Sequence, residues 1–223
     1  MTIRKNIEII REEISAASDG RSVDLIAVTK TFPPENIIEA LESGITNIAE
    51  SKIQEAAAKF SCLNLSGIKT HFIGHLQTNK VKKAVELFDL IHSLDSLHLA
   101  QEISKQAERI GKIQNCLIEI KVSDEPSKTG IRPQELKTFY DKVCGLNNVS
   151  IKGLMIITPL LDNILDSKIY FDRAYKLFSD FSSKDFSILS MGMSGDFKQA
   201  IECGSNMVRI GTAIFGGRDY GNR

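Results

Sequence analysis

The sequence predicts an α/β protein built as a single (β/α)8 barrel with one extra helix in front. Three observations lead there. Eight short runs rich in Ile, Val and Leu recur along the chain. Helical patterns separate these runs. The 223 residues suit one barrel-sized core, and no Pro-, Gly- or Ser-rich linker divides them. The reading is one domain over residues 1–223, with the leading helix at 1–19 and the barrel at 23–217.

The elements follow in order. Ile3, Ile7, Ile10 and Ile14 share one helical face with charges between them, and Asp19-Gly20 can end that helix. The strand-like runs are Leu25–Val28, Thr46–Ala49, Thr70–Ile73, Leu90–His92, Cys116–Val122, Ile151–Ile157, Phe186–Leu189 and Met207–Ile210. They are short and do not alternate cleanly, which suits a parallel sheet buried on both faces. Between them, Pro33-Pro34 can open a helix lined by Ile37, Ile38 and Leu41 and closed by Gly44. Asp95 or Ser96 can cap one holding Leu97, Ala100, Ile103 and Ala107, with Gly111 at its end. Pro133 opens one holding Leu136, Phe139, Tyr140 and Val143, with Gly145 closing it. Phe171, Ala174, Phe178 and Phe181 mark a later helix. Ser194 can cap the last, with Phe197, Ala200 and Ile201 inside and Gly204 closing it. A doubly wound open sheet would show the same rhythm, so the strand count leaves that alternative open. The preferred form is the closed TIM-type barrel.

Charge and cysteine usage narrow the class. Lys plus Arg and Asp plus Glu each total 28, so the net charge is zero and the basic footprint of a nucleic-acid binder is missing. Lys80, Lys82 and Lys83 read as a solvated helix face, with contact to an anion or a partner as the other reading. Cys62, Cys116, Cys144 and Cys203 show no C-x-x-C spacing, which fits a reducing compartment. Charges interrupt the N-terminus throughout, so it resembles neither a signal peptide nor a membrane span. The expected location is the cytoplasm, with neither nucleic acid nor membrane as a partner.

In such a barrel, ligands bind at the carboxyl ends of the strands. The first strand runs into Thr29-Lys30-Thr31. A lysine desolvated at a barrel mouth loses some preference for its charged form and can condense with an aldehyde. A solvated lysine opening a loop would look the same. The seventh strand runs into Ser190-Met191-Gly192-Met193-Ser194-Gly195-Asp196, and the eighth into Arg209-Ile210-Gly211-Thr212. Small residues and free N–H groups there suit a phosphate, though a tight turn and an ordinary helix cap would also explain them. No G-x-x-x-x-G-K-[ST], G-x-G-x-x-G or G-x-S-x-G motif is present. His71 and His75 are four apart but lack the glutamate of H-E-x-x-H, so no metal is expected.

Six stretches together resemble the pyridoxal phosphate homeostasis proteins, whose barrel is like the N-terminal barrel of alanine racemase, fold type III among proteins of pyridoxal 5'-phosphate (PLP). They are Ala27-Val28-Thr29-Lys30-Thr31, His71-Phe72-Ile73-Gly74-His75-Leu76-Gln77-Thr78-Asn79-Lys80, Ser127-Lys128-Thr129-Gly130, Gly153-Leu154-Met155, Ser190-Met191-Gly192-Met193-Ser194 and Val208-Arg209-Ile210-Gly211-Thr212-Ala213-Ile214-Phe215-Gly216. The resemblance implies a Schiff base between PLP and Lys30. It implies phosphate contacts from Ser194, Gly211 and Thr212, and Arg209 facing the pyridine nitrogen. Met193, Asn79 and Ser51 match further positions near the cofactor, with Gln77 in the same motif as Asn79. The family often carries Gly-Glu-Asn-Tyr where this chain has Ala49-Glu50-Ser51-Lys52, so the amide contact of that asparagine is missing.

The expected function is therefore PLP binding in intracellular vitamin B6 homeostasis, without robust catalysis. An arginine against the pyridine nitrogen keeps it unprotonated and weakens the ring as an electron sink. The alternative is a small amino-acid racemase, which needs a second base. In the racemases that base is a tyrosine of a second domain, and this chain stops at Arg223 soon after the eighth strand. The expected partners are PLP and PLP-dependent apo-enzymes, and the expected unit is a monomer.

Overall fold

Ile3, Ile7, Ile10 and Ile14 are all buried, on one side of helix α1 (Ile3–Ser18). Their spacing stacks them a turn apart. Thr2 caps the start by accepting a hydrogen bond from the Lys5 N–H, and Asp19 ends the helix at φ 48°. The computed structural model describes residues 2–123, 129–159, 163–181, 183 and 185–217. After α1 come eight strands: β1 (Asp24–Val28), β2 (Asn47–Glu50), β3 (Lys69–Phe72), β4 (Leu90–Leu94), β5 (Gln114–Ile120), β6 (Val149–Ile156), β7 (Ile188–Ser190) and β8 (Met207–Ile210). Each pairs in parallel with the next, and β8 pairs back onto β1 through Ile26 and Arg209. The barrel is closed, which rules out the open doubly wound sheet.

The helices that cover it are α2 (Pro34–Glu42), α3 (Ile53–Phe60), α4 (Val81–Leu87), α5 (Leu97–Arg109), α6 (Leu136–Cys144), α7 (Ser167–Ser179), α8 (Phe197–Glu202) and α9 (Thr212–Phe215). Several expected details shift. Ile38 is 43% exposed, and Ala40 packs inward with Ile37 instead. Phe181 lies beyond the end of α7, although it still packs on the core. β5 stops at Ile120, short of Val122, and β7 begins two residues later than the apolar run suggested. Ser194 does not cap α8: that helix starts at Phe197 with Asp196 at the cap position. The Ser194 hydroxyl is engaged elsewhere, by backbone N–H groups after β8.

Apolar packing occurs on both sides of the strand wall. Outside, Phe72, Phe88, Phe171 and Phe186 fill the space between strands and helices. The isoleucines of α1 join Ile37, Ile48, Val208 and Ile210 in a second outer patch. Inside, a small cluster of Ile26, Val28, Ala49, Leu90, Leu117, Met155 and Met207 fills the lumen. Burying each large apolar side chain contributes about 1.5–3 kcal/mol. Gly153 is required at the wall itself. Its φ is 151°, and a Cβ there would fall 1.8 Å from the Ile188 carbonyl oxygen, so a side chain would block β6 from pairing with β7. Among the described residues, no helix is long and apolar enough to cross a membrane.

Candidate functional site

Lys30 lies two residues past the end of β1, at the carboxyl end of the barrel, and is half-buried. The turn that carries it is held from below. Lys59 Nζ donates to the Thr29 carbonyl at 2.8 Å, to Glu50 Oε1 at 2.8 Å and to Glu55 Oε1 at 2.6 Å. Glu55 Oε1 also accepts from the Thr31 N–H. Thr29 Oγ1 donates to Glu50 Oε1 at 2.7 Å. Burial pushes the Glu50 carboxyl above its ordinary range, opposed by Lys59 and Thr29. Burial acts the same way on Glu55, but the bonds from Lys59 and the Thr31 N–H outweigh it and hold that carboxyl low. Thr31 adopts φ 71°, a left-handed conformation that costs an L-residue energy. The clamp around Lys59 thus keeps a strained turn in place.

Across the mouth, β7 runs into Gly192, Met193 and Ser194. Gly192 has φ 92°, and a Cβ would lie 2.6 Å from that of Ala200, so this loop can pass close over α8 only as glycine. Asp196 ties the loop down. Its Oδ1 accepts from the Met193 N–H at 2.6 Å and its Oδ2 from Thr158 Oγ1 at 3.1 Å. Ser194 Oγ accepts from the N–H groups of Gly211 at 3.2 Å and Ala213 at 3.3 Å. These N–H groups converge on one oxygen, which is the geometry an anion oxygen requires.

Arg209 forms the floor between the two sides. It points inward from β8 and is 4% exposed. Nη1 donates to the Ser190 carbonyl at 2.9 Å and to Ser190 Oγ at 2.7 Å, and Nη2 donates to the Ile156 carbonyl at 2.8 Å. Among the described residues, no bond takes up the Nε–H or one Nη2 hydrogen, so both can serve a ligand. Burial lowers the guanidinium pKa to about 10, against the pull of Asp196 and Glu119, so it stays charged at neutral pH.

A cavity of about 290 Å³ gathers Lys30, Met193, Ser194, Arg209, Gly211 and Thr212, with Val28, Ile73 and Ile157 as apolar walls. Six of the expected site residues therefore meet. Asn79 and Gln77 do not join them. Both are exposed and line a separate cleft of about 560 Å³ with His75 and Asp95. Ser51 sits half-buried just past β2, outside the described lining of the cavity. A larger cleft of about 640 Å³ lies by Lys121, Arg132 and Arg173. The smaller cavity is the better candidate, because a strand-end lysine, a buried arginine and converging N–H groups face one space. Ser127 and Lys128 of the expected motif lie outside the described residues. Thr129 of that motif donates to Glu119 Oε1 at 3.1 Å. His71 and His75 part company: His71 is in the barrel interior, whereas His75 is exposed and 3.5 Å from Asp95.

Lys59, Glu50, Glu55, Asp196 and Ser190 were not expected to shape the site. Glu55 and Lys59 carried a usable signal, since a spacing of four on a helix makes them neighbours. Nothing local marked Ser190 as a partner of Arg209, because their link crosses between strands.

Comparison with known proteins fits this geometry. A family model described as the N-terminal domain of alanine racemase matches residues 1–219. A pyridoxal phosphate homeostasis protein of Aquifex aeolicus is 40% identical over 219 residues, covering 96% of each chain. Its namesake from Escherichia coli K12 is 38% identical over 232 residues, covering 99% of each. The structure of PipY from Synechococcus elongatus with PLP bound superposes with a TM-score of 0.87 at 33% identity, covering 96% of this chain and all of that one. An alanine racemase of Clostridium difficile, at 17% identity and a TM-score of 0.75, covers 99% of this chain and 57% of its own, and shares the barrel fold. By family model and by whole-length relatives alike, the chain belongs to the pyridoxal phosphate homeostasis protein family.

Proposed function

We propose that this protein binds PLP in the cavity at the carboxyl end of the barrel, holds it as a Schiff base on Lys30, and serves intracellular PLP homeostasis without robust turnover. The observation that carries the reading is the meeting of Lys30, Arg209 and the Ser194–Gly211 phosphate cradle around one cavity. The relatives named for PLP homeostasis and the PLP-bound PipY structure support it. The residues fit the cofactor at three points. Lys30 would hold the cofactor through its aldehyde. The Ser194 hydroxyl, held by the Gly211 and Ala213 N–H groups, would give its own hydrogen to a phosphate oxygen, with Gly211 and Thr212 lining the same end of the cavity. Arg209 presents its spare N–H groups to the ring nitrogen and stays protonated itself. Bound PLP supplies an electron sink in general, and an arginine at that nitrogen keeps this sink weak.

Racemisation needs bases on both faces of a substrate. Among the described lining residues, Lys30 and Arg209 are the titratable side chains, and an arginine is a poor base at neutral pH. This supports holding over turnover. On the same reading PLP passes to apo-enzymes, and the working unit is a monomer in the cytoplasm. Four unpaired cysteines suit a reducing compartment, and a closed barrel offers no strand edge for a partner to pair with. The test is optical. Purified protein given PLP should show a visible absorbance that borohydride traps on Lys30, and Lys30→Ala should abolish it. Absorbance that survives Lys30→Ala would overturn the assignment, and sustained racemisation of alanine would overturn the non-catalytic role.

A further inference from the structure

Behind Arg209 a line of polar side chains crosses the barrel interior. Ser190 Oγ, which accepts from Arg209 Nη1 at 2.7 Å, lies 3.3 Å from His92 Nδ1. His92 Nε2 lies 3.0 Å from His71 Nδ1, and His71 Nε2 lies 3.1 Å from Asn47 Oδ1. Asn47 Nδ2 then donates to Thr46 Oγ1. The four residues come from β7, β4, β3 and β2, and each is buried.

The direction of the line follows from what each group can do. A guanidinium only donates. Ser190 Oγ must therefore accept from Arg209, and its own hydrogen needs an acceptor. Among the described residues His92 Nδ1 is the acceptor within reach. His92 then carries its hydrogen on Nε2 and gives it to His71 Nδ1. His71 likewise carries its hydrogen on Nε2 and gives it to Asn47. Running the line backwards would leave the Ser190 hydroxyl hydrogen buried and unpaired. Asn47 takes a hydrogen bond but not a proton, so the line orients groups and does not conduct protons.

We propose that Ser190, His92, His71 and Asn47 are positioning residues for Arg209, forming a one-way hydrogen-bond chain that fixes how the guanidinium faces the cavity. Its bearing on PLP rests on the cofactor reading above. The chain requires both imidazoles neutral, and burial supports this. It lowers His71 to about 4, and lowers His92 well below the ordinary value, with the charge of Arg209 acting in the same direction.

The first test needs no cofactor. Long-range proton–nitrogen NMR on ligand-free, nitrogen-15-labelled protein at pH 7 should show both histidines neutral with hydrogen on Nε2. A hydrogen on Nδ1 of His92, or a charged His92, would overturn the chain. The second test uses PLP. Ser190→Ala and His92→Leu should each weaken PLP affinity by about tenfold and shift the bound-cofactor absorbance. The double variant should be no worse than the worse single one, because both break the same line. His92→Asn should recover part of the loss, since its amide oxygen can accept from Ser190. Additive losses, or an unchanged absorbance in both single variants, would sink the positioning role. Wild-type protein that binds no PLP would sink the cofactor reading alone, with the NMR result still judging the chain.

Discussion

The two sides of the strand wall are built on different principles. Outside, between strands and helices, the packing is apolar and large, with Phe72, Phe88, Phe171 and Phe186 almost wholly buried. Inside, a small apolar cluster shares the lumen with Asn47, His71, His92, Ser190 and Arg209. The outer shell holds by volume, where any lost group leaves a void. The lumen holds by pairing, where each polar atom depends on its neighbour. Stability is concentrated in the first and the orientation of the site in the second.

The largest expected effect breaks the shell. Phe171→Ala should lower unfolding free energy in urea by about 3–5 kcal/mol, with the bound-PLP absorbance unchanged in protein that is still folded. A small loss, or a changed absorbance, would dissolve the division between the two regions.

Next comes pH, which acts on the lumen. The folded chain holds His71 near 4, against an ordinary 6.5. As pH falls through that window, the unfolded chain takes up a proton that the folded chain refuses. Stability is therefore full above about 6.5 and drops toward 4, by on the order of 3 kcal/mol from His71 alone. His92 adds in the same direction. The raised Glu50 and Glu119 act oppositely, because they accept protons more readily when folded. Urea midpoints measured across this window should slope downward in wild type and flatten in His71→Asn. An equal slope in both would mean that the lumen does not govern acid stability.

The smallest effect lies at the rim where the regions meet. Thr31→Gly relieves a left-handed residue at a cost of roughly 1–2 kcal/mol but adds about 0.5–1 kcal/mol of chain entropy. Thermal unfolding should register a net gain between zero and about 1.5 kcal/mol. A clear loss would show that the Thr31 side chain itself supports the turn.

The same contrast explains what was legible in the sequence. The shell announces itself by period: Ile3, Ile7, Ile10 and Ile14 in α1, and Ala100, Ile103 and Ala107 in α5, follow the turn of a helix. Helix α3 escaped because its inward face is carried by Ile53, Ala56 and Lys59, with one large apolar residue among them. Lys30, Arg209 and the loops after β7 and β8 were legible because a barrel puts its site at strand ends, and because those stretches resemble a family. The lumen line was not legible. Each short strand gives it one residue, and the pairing of Ser190 with His92 spans 98 positions. Ser194 misled for a related reason. A serine before a helix is a good cap, but its hydroxyl found donors on another loop.

Closure of the barrel has a consequence of supply. On the proposed function the protein holds its cofactor one-for-one, so it works in proportion to its abundance and has to be present at a concentration comparable with its cargo. Crowding at that level punishes any sheet with an open border, because unpaired strands on neighbouring molecules zip together into aggregates. Pairing β8 onto β1 removes that border, and Gly153 keeps the wall continuous by letting β6 meet β7. On the proposed function, glycine at position 153 thus bears on how much of this protein stays in solution, and through that on how much reactive aldehyde it can hold in check.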